Sequence, residues 1–443
     1  MSETIIVEHF DPMMLIATQI KNGALGEDVV FCIEEEKFYI YRNNYWKMLH
    51  DIQLSKVILD SKSLGYVKKH AISKRNQILE NLKHLVQLEL EVFNKKGYLN
   101  FDIGEFDPET LQMYDHCKEN YSTMRIEYPY HHTAKCDLWL KTLNEIFEGD
   151  KDKVDILQEF FGYCLTRNTR REKALLLLGD ARTGKSSILH VLNYLVGENN
   201  CANVALKYIA HPQYTPLLMN KLVNMDTDVS GNAQEFEAEF KTITSGEPIT
   251  CNQKFVETFK FRPYCKMVMA ANEFPSIKDH SSAFYKRLIL LPCDRIFEEH
   301  EQNINLKDEL LKELSGIFNW AVEGLRRLNE RGYFEQKDFM KEAVQQLRDE
   351  SNPTEVFMRD HVESNNTYKV FKSDLYEKYQ AWCDKNGSGS ISINKFNQAI
   401  FRKYAKVTEK NSQDKITGKR YWKHLRYVEQ KGEAQGETIT WQD

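Results

Sequence analysis

The segment Gly179-Asp180-Ala181-Arg182-Thr183-Gly184-Lys185-Ser186 satisfies the pattern GxxxxGK[ST]. It falls between a continuous apolar run, Lys173-Ala174-Leu175-Leu176-Leu177-Leu178, and a helical pattern from Lys185 to about Val196. An apolar run without polar alternation, closed by glycine, reads as a strand buried on both faces of a sheet. Strand, tight loop and helix in that order make a phosphate cradle. Loop N–H groups from Gly179 to Ser187 and the positive helix end face phosphate oxygens, Lys185 neutralises the β and γ phosphates, and Ser186 holds Mg²⁺. ATP and Mg²⁺ are therefore the expected cofactors.

Further apolar strands read at Leu222–Met225, Lys266–Ala270 and Leu288–Leu291, which together predict an α/β core with a central parallel sheet. A phosphate loop also needs an acidic group at the end of a neighbouring strand. Lys221-Leu222-Val223-Asn224-Met225-Asp226-Thr227-Asp228 supplies two, and alternation places Asp226 and Asp228 on one side, one near Mg²⁺ and the other as base. Which carboxylate does which stays open at this point, with Asp228 favoured as the base.

At 443 residues the chain exceeds a single ordinary core and is expected to divide, at about 150 residues per domain, into two to four. The patterning predicts an N-terminal α+β domain over 1–105, with a hairpin formed by Val29–Ile33 and Lys37–Tyr41 and a helix from Lys69 to Phe93. A helical collar or oligomerisation region is expected over 106–170, the nucleotide-binding domain over 171–345, and a DNA-binding domain over 350–443 after Asn352-Pro353. In the last of these, three helical patterns precede a hairpin-like end, Arg420-Tyr421-Trp422 to Arg426-Tyr427-Val428, an order that suits a winged helix.

Composition narrows the function. No apolar run reaches the roughly 20 residues of a membrane helix, and the opening MSETIIVEHFDP has no export-signal pattern, so no membrane association and a host-cytoplasmic location are expected. The nine cysteines include no CxxC pair, which argues against a disulfide framework or a zinc site. A net charge of -5 does not advertise nucleic-acid binding by the whole molecule, so contact with DNA must be local.

From Gly179 to Arg287 the motif order resembles the superfamily III helicases, more closely the phage and plasmid primase-helicase group that includes poxvirus-type nucleoside triphosphatases. Ser245-Gly246-Glu247-Pro248-Ile249 and Asn252-Gln253-Lys254-Phe255 look like the family's motif that ends in a hairpin pointing into a ring. Lys266 to Pro275 looks like the polar sensor strand, and Ser281 to Leu288 like the segment carrying an arginine finger. The resemblance implies a P-loop AAA+ core preceded by a mixed α+β and helical region. It also implies catalytic roles for Lys185, Asp228, Asn272 as sensor and Arg287 as a finger acting on a neighbouring subunit's ATP, with a metal set of Ser186, Asp226 and Asp228.

Lys254 at the hairpin tip, Lys260 on its return, and Lys419, Arg420 and Lys423 in the C-terminal hairpin are the candidate DNA contacts. The helix Ile393–Tyr404 is the candidate for the major groove. The expected partners are single-stranded and forked DNA, further copies of the chain in a hexamer, and a separate primase or initiator, since the N-terminal part shows no paired-carboxylate polymerase motif. Translocation from 3′ to 5′ comes from the resemblance alone. Two other readings are an origin-binding initiator or helicase loader switched by ATP, and an ATPase acting on protein.

Overall fold

The computed structural model describes residues 11–60, 72–229, 236–252, 258–273, 282–408 and 412–429. The described residues form two compact units, one running up to Met340 and the other from Lys341 onward.

The core of the first unit is a five-stranded parallel sheet, in spatial order Leu288–Pro292, Ala174–Leu178, Lys266–Ala271, Val223–Asp226 and Cys201–Ala202. Its strands are short, apolar and buried along nearly their whole length, as a sheet covered on both faces requires. The helix Lys185–Val196 starts at Gly184 and stops at Gly197; its buried face is Ile188, Leu189, Val191, Leu192, Leu195 and Val196.

The helices Lys151–Cys164 and Leu314–Arg331 pack on this core and are joined by polar contacts: Gln158 Nε2 donates to the Trp320 carbonyl at 2.7 Å, and Glu159 pairs with Arg327 and Arg331. Glu159 is almost fully buried, and two cations at a buried carboxylate meet the usual condition for burying such a charge.

Ahead of the core lies a four-stranded sheet, ordered Tyr45–Leu49, Lys37–Arg42, Val29–Cys32 and Gln87–Leu88. The hairpin expected at Val29–Tyr41 forms, with Val29 opposite Ile40. The helix expected from Lys69 to Phe93 is shorter, Ile72–Leu85 within the described residues, and then yields to the Gln87–Leu88 strand and a turn at Leu90–Val92. Long-range pairing overrides the helical pattern there: Phe31 N–H donates to the Val86 carbonyl at 2.8 Å and Leu90 N–H to Glu34 Oε2 at 2.8 Å.

The region expected to be a helical collar opens instead with a three-stranded antiparallel sheet, Leu99–Asn100, Glu105–Asp107 and Gln112–Tyr114, and becomes helical from Asp137. Phe106 packs edge-on against Phe318, which anchors that sheet to the core.

In the second unit the helices Pro353–His361, Lys372–Lys385 and Ile393–Tyr404 surround Phe357, Tyr379, Phe396, Ile400 and Trp422. The expected local hairpin at Arg420–Val428 is one strand, Tyr421–Tyr427, paired antiparallel with Val362–Phe371. The pairing carries Trp422 and Leu425 into the core of the unit, where both are buried.

Candidate functional site

The Gly179–Ser186 segment joins the Ala174–Leu178 strand to the Lys185–Val196 helix, and two glycines permit its course. Gly184 stands at φ +86°, where a Cβ would lie 2.6 Å from Ile146 Cδ1; at Gly179 a Cβ would lie 2.1 Å from the Cys293 carbonyl oxygen. The loop is tied from outside: Gly179 N–H donates to Ala271 O at 3.2 Å, Cys293 N–H to Leu178 O at 2.7 Å, and Phe297 N–H to Arg182 O at 2.9 Å.

Lys185 is buried within the loop, its Nζ donating to the Gly179 and Asp180 carbonyls, each at 2.6 Å, and to Thr183 Oγ1 at 3.2 Å. Burial draws its pKa below the ordinary lysine value, with Cys293 and Asp180 pulling the other way. Thr183 is buried and Gly184 and Ser187 half-buried, while Asp180, Ala181, Arg182 and Ser186 are exposed. Among the described residues no side chain caps the helix start at Gly184, which leaves its first amides available to an anion.

Asp226 ends the Val223–Asp226 strand, opposite Met269 of the Lys266–Ala271 strand. It is buried, its Oδ2 accepting Leu206 N–H at 2.7 Å and its Oδ1 accepting Asp228 N–H at 3.4 Å; Asp228 is exposed. Asn272 is exposed and directly follows Ala271, whose carbonyl accepts Gly179 N–H. Parallel strands thus gather Lys185, Ser186, Asp226, Asp228 and Asn272 at the carboxyl ends of three neighbours, where α/β sheets bind ligands. Among the described residues no group of three His, Cys, Asp or Glu side chains could hold a metal by itself. A hydroxyl, one or two carboxylates and phosphate oxygens are instead the donor set that suits Mg²⁺.

Arg287 lies elsewhere. It closes the short helix Ser282–Arg287 and precedes the Leu288–Pro292 strand, which runs parallel to Ala174–Leu178 with Leu288 opposite Ala174 and Pro292 opposite Leu178. Five residues at about 3.3 Å each put Arg287 roughly 16 Å along the sheet from the loop. There its guanidinium is paired with Glu172 at 2.7 Å and donates to Ser245 Oγ at 3.0 Å.

The Ile249–Cys251 and Phe259–Phe261 strands pair antiparallel, with the exposed Lys260 opposite Thr250; Lys254 lies outside the described residues. In the second unit a cavity of about 880 Å³ is lined in part by Lys372, Asn394, Asn397, Arg402, Lys419 and Arg420. Lys419 and Arg420 are exposed, whereas Lys423 is half-buried on the strand opposite Lys369.

Glu172 belongs to no spaced motif, and although Ser245 opens the Ser245–Ile249 motif, nothing in the sequence says that it meets Arg287. The signal closest to them is the charged run Arg170-Arg171-Glu172-Lys173 immediately before a buried strand, which reads simply as the strand's solvated entrance.

Comparison with known proteins adds three regional matches. Residues 5–148 match a family described as D5 N terminal like, residues 349–432 match Poxvirus D5 protein-like, and residues 177–287 match a family of unknown function, DUF5906. A protein of Acanthamoeba polyphaga mimivirus named "Putative helicase" is 22% identical over 330 residues, 68% of this chain and 34% of its own length. Another so named, from Invertebrate iridescent virus 3, is 21% identical over 352 residues, 69% of this chain and 37% of its own. The chain thus spans about a third of the length of these curated relatives.

Its fold is similar to the apo structure of the NrS-1 C terminal region, residues 305–718, with a TM-score of 0.52 and 15% identity over 94% of this chain and 100% of that one. An A-form structure of the same region gives a TM-score of 0.51 at 17% identity, over 94% and 99%. Among the described residues no helix is long and apolar enough to cross a membrane. The matches at both ends of the chain, together with the viral relatives, support a D5-type helicase/primase relationship for it.

Proposed function

We propose that the chain is an ATP-driven DNA helicase of the superfamily III type, serving replication of a phage or other mobile genetic element. In this reading it works as a hexameric ring that moves on single-stranded DNA from 3′ to 5′. The names of the viral relatives support helicase activity. The observation that carries the mechanism is the separation of Lys185 from Arg287 along the parallel Ala174–Leu178 and Leu288–Pro292 strands. A cation some 16 Å from its own loop can serve only a nucleotide held by another copy.

Magnesium ATP, when bound, supplies the phosphoanhydride bond to be cleaved. Lys185 exchanges the Gly179 and Asp180 carbonyls for phosphate oxygens, and the open amides at the helix start complete the P-loop cradle. Ser186 and Asp226 hold the cation, Asp226 already oriented by the Leu206 amide. Asp228 accepts the proton of the attacking water, which Asn272 orients. Arg287 of the adjoining copy leaves Glu172 and stabilises charge as the bond breaks. The hairpin bearing Lys254 and Lys260 grips the translocated strand, and the second unit, as a winged helix, uses Lys419, Arg420 and Lys423 on the duplex or fork.

The test is a mixture. Lys185→Ala and Arg287→Ala chains, each inactive alone, should regain ATP hydrolysis when combined, and the wild type should displace a strand from a forked substrate. Hydrolysis that never recovers in the mixture defeats the shared site. ATP turnover stimulated by DNA without strand displacement would favour an initiator or loader.

A further inference from the structure

At the amino ends of the Ala174–Leu178 and Leu288–Pro292 strands, Arg170, Arg171, Lys173, Lys286 and Arg287 line a cavity of about 330 Å³, with Glu172 the one acidic residue among those lining it. Five cations against one carboxylate leave a formal excess of four positive charges. The cluster carries signs of that excess. Burial lowers the Lys173 pKa and the neighbouring Arg287 lowers it further. The Nε–H groups of Arg171 and Arg287 are buried and find no acceptor among the described residues. Arg170 and Lys286 are exposed, and neither makes an ion pair among the described residues. Among the described residues Arg287 alone of the five makes an ion pair, with Glu172, while Lys173 Nζ donates to the Lys286 carbonyl and the Arg171 guanidinium to the Leu328 carbonyl and Asn329 Oδ1.

A site of this charge density fits an anion that is itself compact and multiply charged. A nucleoside triphosphate carries roughly four negative charges on adjacent phosphates, whereas a polynucleotide offers one per phosphate spread along a chain. The volume is that of roughly ten waters, enough for a polyphosphate tail. The chain's own loop lies beyond the opposite end of the same strands, so a nucleotide held there could not reach this cavity, and one that did reach it would be held by a second copy.

We propose that this cavity is the receiving half of a nucleotide site shared by two copies, in which Arg170, Lys173 and Lys286 face the polyphosphate beside Arg287 and Glu172 withholds Arg287 until that anion arrives. The inference rests on the shared-site reading above and extends it. Arg170, Lys173 and Lys286 become phosphate-facing groups, and Glu172 becomes a positioning residue that acts through Arg287. The latch also has a second anchor. Arg287 is held by the Ser245 hydroxyl at the end of the Glu237–Ser245 helix, four residues before the Ile249–Cys251 strand, so release of the guanidinium is felt at the base of the hairpin.

The test uses the full chain with ATP. An Arg170→Gln, Lys286→Gln double variant should lose about tenfold or more in kcat with KM little changed, and should recover when mixed with Lys185→Ala chains, which supply an intact cavity. Glu172→Gln, which keeps the side-chain volume, should raise ATP turnover several-fold without DNA, to about the DNA-stimulated rate. The proposal is overturned if the double variant keeps kcat within about twofold, or loses it without recovery in the mixture. It is equally overturned if the double variant keeps ATP turnover and loses affinity for DNA, which would make a polynucleotide the occupant. Failure of the Lys185→Ala and Arg287→Ala mixture, by contrast, defeats the underlying reading itself.

Discussion

Asp226 Oδ2 accepts the backbone N–H of Leu206 at 2.7 Å, so the carboxylate closing the Val223–Asp226 strand is fixed by the fold, whereas Asp228, two residues on, is exposed. The two should therefore fail differently. Asp228→Asn is expected to lower kcat by about 10²–10⁴ with ATP binding and melting temperature retained. Asp226→Asn should weaken Mg²⁺-dependent nucleotide binding and cost about 1–3 kcal/mol of stability, as a charge-assisted bond to a buried amide is lost. Isothermal titration beside steady-state kinetics separates the cases; the opposite pattern would make Asp226 the base.

Gly184→Ala places a Cβ 2.6 Å from Ile146 Cδ1 at a residue with φ +86°. Left-handed strain of about 1 kcal/mol and overpacking of about 1–3 kcal/mol should add to a loss of about 2–4 kcal/mol. Urea denaturation checks this, and nucleotide binding should fall with it because the helix start shifts. A change below about 0.5 kcal/mol would mean that Ile146 does not press on the loop.

Lys266 predicts a pH dependence. Its amine is fully buried, donating to the Thr166 carbonyl and to the Tyr264 carbonyl at 3.1 Å, with the Tyr163 ring 4.7 Å away, and burial pulls its pKa down to about 7. The unfolded chain keeps this proton up to about pH 10.4, so above pH 7 the unfolded state binds more protons and stability rises with pH. The slope should approach about 1.4 kcal/mol per pH unit. It is best read between about pH 7 and 8.5, because the raised pKa values of the neighbouring Cys164 and Cys265 thiols act in the opposite sense once free thiols ionise. Lys266→Met should flatten the slope, and an unchanged slope would assign it to other groups.

The nucleic-acid contacts should reveal themselves through salt. Lys260→Ala is expected to weaken single-stranded DNA binding and to reduce the slope of log K against log salt by about 0.7, one phosphate's worth, leaving ATP hydrolysis without DNA intact. A Lys419→Ala, Arg420→Ala pair should do the same for duplex or forked DNA, with a slope change of about 1.8. Fluorescence anisotropy at several salt concentrations measures both. Unchanged slopes would remove these residues from the DNA path.

Locally encoded elements were legible in the sequence. The Lys185–Val196 and Ile393–Tyr404 helices fall where apolar spacing places them, and the Ala174–Leu178 strand where the leucine run does. Elements made by distant partners were not. Gln87–Leu88 becomes a strand only because Phe31 and Cys32 pair with it. Tyr421–Tyr427 pairs with residues some sixty positions earlier, which no hairpin rule anticipates. The candidate site divides in the same way. Gly179–Ser186, Asp226 and Asn272 lie in motifs whose order is written along the chain, whereas the pairing of Arg287 with Glu172 exists only because two parallel strands begin side by side.

The Leu288–Pro292 strand has a mechanical consequence. Arg287 immediately precedes it and Cys293 immediately follows, with Cys293 N–H bonded to the Leu178 carbonyl just before Gly179. An axial push on the guanidinium from outside is therefore delivered, through one stiff hydrogen-bonded rod, to the floor beneath Gly179. In the proposed ring, such a rod would report the state of one seam to the next without any hinge between them.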